Sequence, residues 1–193
     1  MANVICSDLQ ASEVVTEIQE LFPNFKFLEF DVLQGGIDRK FDAVISLSLI
    51  YLFDERDLKL FFRNVNNLLK PGGQFILDSA GSPDKFLAYL IHEVLLKYEA
   101  RLRWLLKSVL TRKRLGFVVK HHGYRWTDAE IVACAEQEGF ALLEQQNYNF
   151  LTEFRRSCLL RRLIKMGPCM EKIFENIGRK IPYVRMFNLK KIS

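Results

Sequence analysis

The residues best placed to do chemistry are few and sit where short β-rich runs end. Asp8 closes VICSD and Asp31 closes FKFLEFD. A carboxylate in such a place can accept two hydrogen bonds at once from a bound ligand. Ser46, Leu47, Ser48 and Leu49 follow the apolar run that starts at Phe41, with Tyr51 a turn away. A second cluster is HHGYRW, which holds His121, His122, Tyr124 and Arg125. Histidine has the unperturbed pKa of a general base near neutrality, so His121, His122 and Tyr124 are the proton-transfer candidates, and no single catalytic residue is assigned. Arg125 can pair with an acidic substrate or simply face water, and each of the others can equally be an ordinary loop residue. Cys6, Cys134, Cys158 and Cys169 form no C-x-x-C pair and have no histidine at ligand spacing. We therefore expect no metal centre, and reduced thiols in a cytosolic protein.

These residues need a frame, and the pattern around them supplies one. Val4–Cys6 reads as a strand running out to Ser7 and Asp8, and Ala11–Phe22 as an amphipathic helix stopped by Pro23 and Asn24. Phe25–Val32 alternates as a strand ending near Asp31, and Gly35–Gly36 makes a loop. Phe41–Leu49 is apolar throughout, as a buried parallel strand is. Asp54–Leu69 carries apolar residues at helical spacing. Lys70–Gly73 is a turn, and Gln74–Asp78 a further buried strand. Strands alternating with helices at these lengths predict an α/β fold with a doubly wound, Rossmann-like, mostly parallel sheet. Ligands of such sheets sit outside the carboxyl ends of the strands, which selects Asp8, Asp31, Ser46–Tyr51 and Asp78–Gly81.

After Gly81 the chain becomes helical and more basic. Ser82 and Pro83 read as a cap and first turn opening a helix to about Arg112. Leu95, Tyr98, Leu102, Leu105 and Val109 share one face, and Lys97, Arg101, Arg103, Lys107 and Arg112 lie largely opposite, with Trp104 among them. Thr127-Asp-Ala-Glu130 is a capping box for a helix that Gly139 closes. Phe140–Phe150 reads as a strand, Glu153–Met166 as a basic helix, Cys169–Lys180 as a further helix and Ile181–Leu189 as a closing strand.

Length and composition fit this frame. The 193 residues, 49% hydrophobic, suit one domain, divided here into a partial cofactor-binding half (1–81), a helical insertion with a lid loop (82–126) and the rest of the sheet with a basic insertion (127–193). A net charge of +5, concentrated in the second half, can meet phosphate or an anionic membrane, or simply mark solvated helix faces. No signal peptide is apparent, and the apolar run Ala43–Phe53 is too short to span a bilayer. The expected location is cytoplasmic, with peripheral membrane contact as an option.

Three segments resemble the class I S-adenosylmethionine-dependent methyltransferases: FDAVISLSLIYLF, LLKPGGQFILDSAG and GYRWTDAEIVACAEQEGFALLE. They match, in order, the family's fourth strand, its fifth strand with the preceding turn, and the loop, helix and sixth strand that follow. The resemblance covers roughly Val4 to Leu189. It implies S-adenosylmethionine as cofactor and an antiparallel closing strand beside the Gln74 strand. It places Asp8, followed by Leu9, at the ribose hydroxyls, and Asp31, followed by Val32, by the adenine. Ser46 and Leu47 would line the cofactor, and Tyr51, His122, Tyr124 and Arg125 the acceptor. Three structural readings stand beside these roles: Asp8 as an N-cap of the first helix, Asp31 as a turn residue, and Tyr51 as core.

One departure matters. The family's first strand, glycine-rich loop and following helix have no counterpart before Val4, and Gly35–Gly36 lead into a strand with no room for a helix. The first βα unit is thus missing from the match. This implies impaired cofactor binding, open sheet edges and self-association through them. The fourth strand is not followed by the Pro-Pro-aromatic pattern of enzymes that methylate nucleic-acid bases, so nucleic acid is not the expected partner. A small or lipid-like acceptor is. The alternative is a non-catalytic module that binds a partner or an anionic membrane through its basic helices.

Overall fold

The computed structural model describes residues 4–22, 24–81, 83–111, 123–148, 151–182 and 184–192. Among these residues six strands fall into two sheets. β1 (Val4–Asp8) and β2 (Phe25–Glu29) pair in parallel, joined by α1 (Glu13–Leu21). The larger sheet has the order β3-β4-β6-β5, built from β3 (Phe41–Ser46), β4 (Leu69–Ala80), β5 (Phe140–Tyr148) and β6 (Val184–Lys191). β3 runs parallel to β4, and β6 is antiparallel to both its neighbours. The closing strand therefore lies beside the Gln74 strand, as the sequence implies. Among the described residues β1 pairs only with β2 and β3 only with β4, so each presents one open edge.

The core sits under the larger sheet. α2 (Glu55–Leu68) starts where Asp54 Oδ1 accepts the N–H of Asp57 at 2.9 Å, with Glu55 and Asp57 favourably placed in its first turn. Leu58, Phe61, Phe62, Val65 and Leu68 are buried on one face. Phe62 meets Phe75 of β4 and Phe140 of β5 edge-on, at centroid distances of 5.8 and 6.1 Å. α5 (Asp128–Gln137) adds Ile131, Cys134 and Ala135 to the same layer. At the far end of α2, Lys191 Nζ donates to the carbonyls of Asn66 and Leu69, satisfying acceptors that a helix C-terminus leaves open.

The Lys70–Gly73 turn lies inside β4, where the register steps from Phe41↔Leu69 to Ala43↔Gln74. A side chain at Gly73 would stand 3.1 Å from the Asp42 carbonyl and 3.0 Å from that of Lys70. The close approach of these backbones is what requires glycine there.

The helical layer departs from the sequence reading in two places. The long helix begins at Phe86, not at Pro83, and Ser82 lies outside the described residues. It runs as α3 (Phe86–Tyr89), a π-helical stretch (Leu90–Leu96) and α4 (Lys97–Thr111). The expected basic helix over 153–166 is two helices, α6 (Thr152–Arg156) and α7 (Cys158–Ile164). α8 (Pro168–Gly178) follows, with proline in its first turn.

The break at Ser157 has a physical cause. The Glu99 carboxylate of α4 accepts from Ser157 Oγ (2.6 Å), Cys158 N–H (2.8 Å) and Leu159 N–H (3.2 Å). A charge from another helix thus caps α7. Burial pushes the Glu99 carboxyl up, but these hydrogen bonds and Arg103 outweigh it and leave the group below its ordinary value of 4.5. A lowered carboxyl stabilises the fold fully above its unfolded pKa, and this contribution is lost as pH falls through the lowered value. The helical layer is therefore expected to loosen on acidification below about pH 4.5. Trp104 fluorescence against pH should report it. Glu99→Gln should flatten that transition, and an unchanged profile would count against the cap.

Candidate functional site

The carboxyl ends of β3 and β4 build the site. Ser46 closes β3 opposite Leu77 of β4. Its hydroxyl oxygen is buried and has no hydrogen-bond partner among the described residues. Two residues on, Ser48 takes φ +55, a left-handed conformation that costs a non-glycine residue about 1–3 kcal/mol. Its N–H donates to Asp78 Oδ1 on β4, which holds the strained turn in place. Leu47, between the two serines, is 59% exposed.

The chain then makes a 3-10 turn, Ile50–Leu52, and the segment before α5 straps across it. Tyr124 N–H donates to the Tyr51 carbonyl at 2.6 Å, and Trp126 Nε1 donates to the Ile50 carbonyl at 3.2 Å. The Tyr124 and Trp126 rings stack with centroids 6.4 Å apart. Two candidates some seventy positions apart in sequence, Tyr51 and Tyr124, are thereby brought together. Both side chains remain partly open, at 37% and 46% exposure. Arg125, which lies between Tyr124 and Trp126 in sequence, is half-buried. His121 and His122 lie outside the described residues.

Arg185 fixes the strap, and nothing in the sequence marks it. It is 1% exposed at the start of β6. Its guanidinium pairs with Asp128 of α5 and donates to Ser79 Oγ (2.9 Å) and the Trp126 carbonyl (2.7 Å). Burial pulls its pKa down and Asp128 opposes that. Thr127 and Glu130 form the expected capping box beside it. Strap, helix and two strands are thus tied at one point.

The residues after β1 and β2 are arranged differently. Asp8 is exposed, and its Oδ1 accepts the N–H of Leu9 at 2.7 Å. It does not cap α1, which opens at Ser12 without a side-chain cap; the N-cap reading of Asp8 is corrected. The second carboxylate oxygen of Asp8 has no partner among the described residues. Asp31 lies two residues past β2, where Oδ1 accepts Leu33 N–H (2.9 Å) and Oδ2 accepts Gln34 Nε2 (3.0 Å). It is a turn residue with one lone pair left on each oxygen. Val32 packs against the core, and its carbonyl accepts from Asn64 of α2 at 2.8 Å. Leu9 is 65% exposed.

Residues 1–77 match the methyltransferase domain family. The whole chain superposes on solved structures of that kind. The fold is that of the class I methyltransferases. Magnesium protoporphyrin IX methyltransferase from Synechocystis, crystallised with S-adenosylhomocysteine, is 17% identical; the match covers 98% of this chain and 64% of that one, with a TM-score of 0.56. The cyclopropane synthase of Mycobacterium tuberculosis is 16% identical over 98% of this chain and 70% of its own, with a TM-score of 0.59. Geranyl diphosphate C-methyltransferase from Streptomyces coelicolor, in complex with Mg2+, geranyl diphosphate and S-adenosylhomocysteine, is 13% identical over 98% and 64%, with a TM-score of 0.56. No curated protein matches the sequence. The methyltransferase-fold chain thus spans about two thirds of the length of these structures. In it, β6 is the antiparallel strand inserted beside β4, and the strap of residues 123–126 covers the loop after β3. Among the described residues no glycine-rich loop opens a helix: Gly35 and Gly36 lead on to β3.

Proposed function

We propose that this chain carries out S-adenosylmethionine-dependent methyl transfer to a small or lipid-like acceptor. One observation carries the reading. At the carboxyl end of β3 a buried, unpartnered Ser46 hydroxyl, a strained Ser48 and the docked Tyr51–Tyr124 pair meet on one edge of a methyltransferase-fold sheet. Strain and unpaired polar groups collect at ligand sites because the surroundings hold them there for use. The comparisons support the cofactor class, since related folds carry S-adenosylhomocysteine.

The residues present fit such a cofactor in part. Asp8 offers a free carboxylate oxygen for a ribose diol, and Asp31 keeps acceptor capacity for an adenine amino group. Ser46 and Leu47 line the approach from β3. When bound, the cofactor supplies a methyl group on a sulfonium carbon, and the protein's task is alignment of the acceptor. Tyr51, Tyr124 and Arg125, together with His122, are the groups proposed to face the acceptor. With no glycine loop among the described residues to hold the methionine end, binding is expected to be weak.

Calorimetric titration with S-adenosylhomocysteine tests this. Saturable binding should weaken by about 1.5–3 kcal/mol in Asp8→Ala, the scale of hydrogen bonds to a charged group. Binding indifferent to Asp8, or none at millimolar ligand, would remove the cofactor assignment.

A second reading rests on α4. None of its residues is buried, and Leu105, Leu106 and Val109 are each at least 50% exposed beside Arg101, Arg103 and Lys107. This suits an anionic membrane surface, where each basic residue adds about 1 kcal/mol. No helix among the described residues is long and apolar enough to cross a membrane, so the contact would be peripheral. Co-sedimentation with anionic liposomes should fall at high salt. Equal pelleting with neutral lipid would count against it.

A further inference from the structure

The helical layer encloses a cavity that the methyl-transfer reading does not use. It has a volume of about 500 Å³, inside the range of roughly 300–1,000 Å³ typical of small-molecule sites. One wall is the helix from Leu87 through the π-helical stretch to Tyr98; the other comes from α6, α7 and α8, with Phe154, Phe174 and Ile177. Every lining side chain is aliphatic or aromatic, and the Tyr98 hydroxyl is the sole polar side-chain group among them. The floor is closed: Ile91 and Phe154 are 3% and 2% exposed. The mouth is open, with Val94 at 49%. From Leu87 to Tyr98 the wall runs for roughly 16 Å at the helical rise. The walls are held apart in fixed relation, because Glu99, one residue past Tyr98, caps α7.

The position of this cavity ties it to the site. α3 follows β4, whose last residue Ala80 pairs with Val184 of β6. Tyr148, the last residue of β5, pairs with the same Val184. Both insertions that form the walls therefore leave the sheet at one edge, and the second returns to it there at Val184. That edge carries the end of β3, since Ser46 pairs with Leu77, three residues before Ala80. The π-helical turns that supply Leu90, Ile91, Val94 and Leu95 are a feature found frequently at functional sites.

We propose that this cavity binds the hydrocarbon chain of the methyl acceptor, a single aliphatic or isoprenoid tail whose polar end reaches toward Ser46, Tyr51 and Tyr124. The proposal rests on the methyl-transfer reading for the role of the polar end. The chemistry of the walls selects the tail. A polar ligand would lose its water and gain no hydrogen bond there. A hydrocarbon chain loses nothing and covers side chains that now face solvent. A wall that runs from Leu87 to Tyr98, with Val94 and Tyr98 open to solvent, suits one flexible chain.

The test uses the whole chain with cis-parinaric acid, a fluorescent fatty acid, kept below its aggregation concentration. Saturable one-to-one binding, displaced by dodecanol, is expected; displacement by the alcohol shows that the chain and not the carboxylate is recognised. Val94→Trp and Ile177→Trp fill the cavity from opposite walls and should each weaken binding at least tenfold, with melting temperature and S-adenosylhomocysteine titration unchanged. No saturable binding by the unsubstituted protein overturns the proposal, whatever the variants do. So does binding that both tryptophans leave intact, binding only to anionic vesicles, or a second copy of the chain covering the face in sedimentation runs. Failure of the cofactor reading shows separately, in the S-adenosylhomocysteine titration.

Discussion

Replacing Arg185 with methionine is expected to destabilise the protein by about 3 kcal/mol, at the lower end of the roughly 3–5 kcal/mol for breaking a buried ion pair. The side chain is 1% exposed and joins Asp128, Ser79 and the Trp126 carbonyl. Methionine fills much of the volume but supplies no donor. Asp128 is 46% exposed on its side chain, so water can reach it once the guanidinium is gone, which keeps the loss at the lower end. For a chain of this size the melting temperature should fall by about 6–12 °C. Arg185→Met with Asp128→Asn should recover part of that loss, since no charge then remains beside the apolar side chain. A single variant melting within roughly 2 °C of the parent would show that Arg185 ties nothing together.

Gly123→Ala is expected to release the strap from the site. Gly123 adopts φ +75, and an added Cβ would strike the Tyr51 carbonyl and stand 2.7 Å from the Tyr51 ring. The left-handed conformation alone costs an L-residue about 1–2 kcal/mol. The clash adds to it, because one partner is backbone and cannot rotate away. Tyr124 would lose its hydrogen bond to Tyr51, and the two groups proposed to face the acceptor would separate. A displacement of about 1 Å at a reacting site can cost on the order of 100-fold in rate. Turnover should fall by about that factor, and the melting temperature should fall by about 2–8 °C from the backbone conformation alone. Full activity in Gly123→Ala would mean that the strap does not position the acceptor.

The parts legible in the sequence are those whose signal is local. The apolar spacing of Leu58, Phe61, Phe62, Val65 and Leu68 fixes α2 and its buried face by helical periodicity. The capping box at Thr127 and Glu130 is present with both hydrogen bonds. The PGG turn and the apolar strands beside it place Ser46 and Asp78 at one edge before any coordinate is known. From such signals come the alternation of strands and helices and the likeness to class I methyltransferases, which sets the loop after β3 and the GYRW segment each near the acceptor.

Other features depend on contacts between distant segments. Nothing local separates residues 153–166 into two helices; the carboxylate of Glu99, more than fifty positions away, does so by offering Ser157 a better partner than a continuing helix. The cavity exists only because the 86–111 helix and α6–α8 leave the sheet at one edge and pack against each other there. Arg185 is the sharpest case. In VRMFNL alternate residues face opposite sides, and hydrophobic pattern alone favours neither. Register with β4 puts Phe187 and Leu189 in the core and so carries Arg185 into the same row, opposite Ser79. A charge is tolerated there because Asp128 and the Trp126 carbonyl arrive from another part of the chain. The sequence by itself thus determined the elements and the edge at which they meet. Only the tertiary structure decided which groups are buried there with partners, because burial and pairing are properties of segments brought together and not of any one segment.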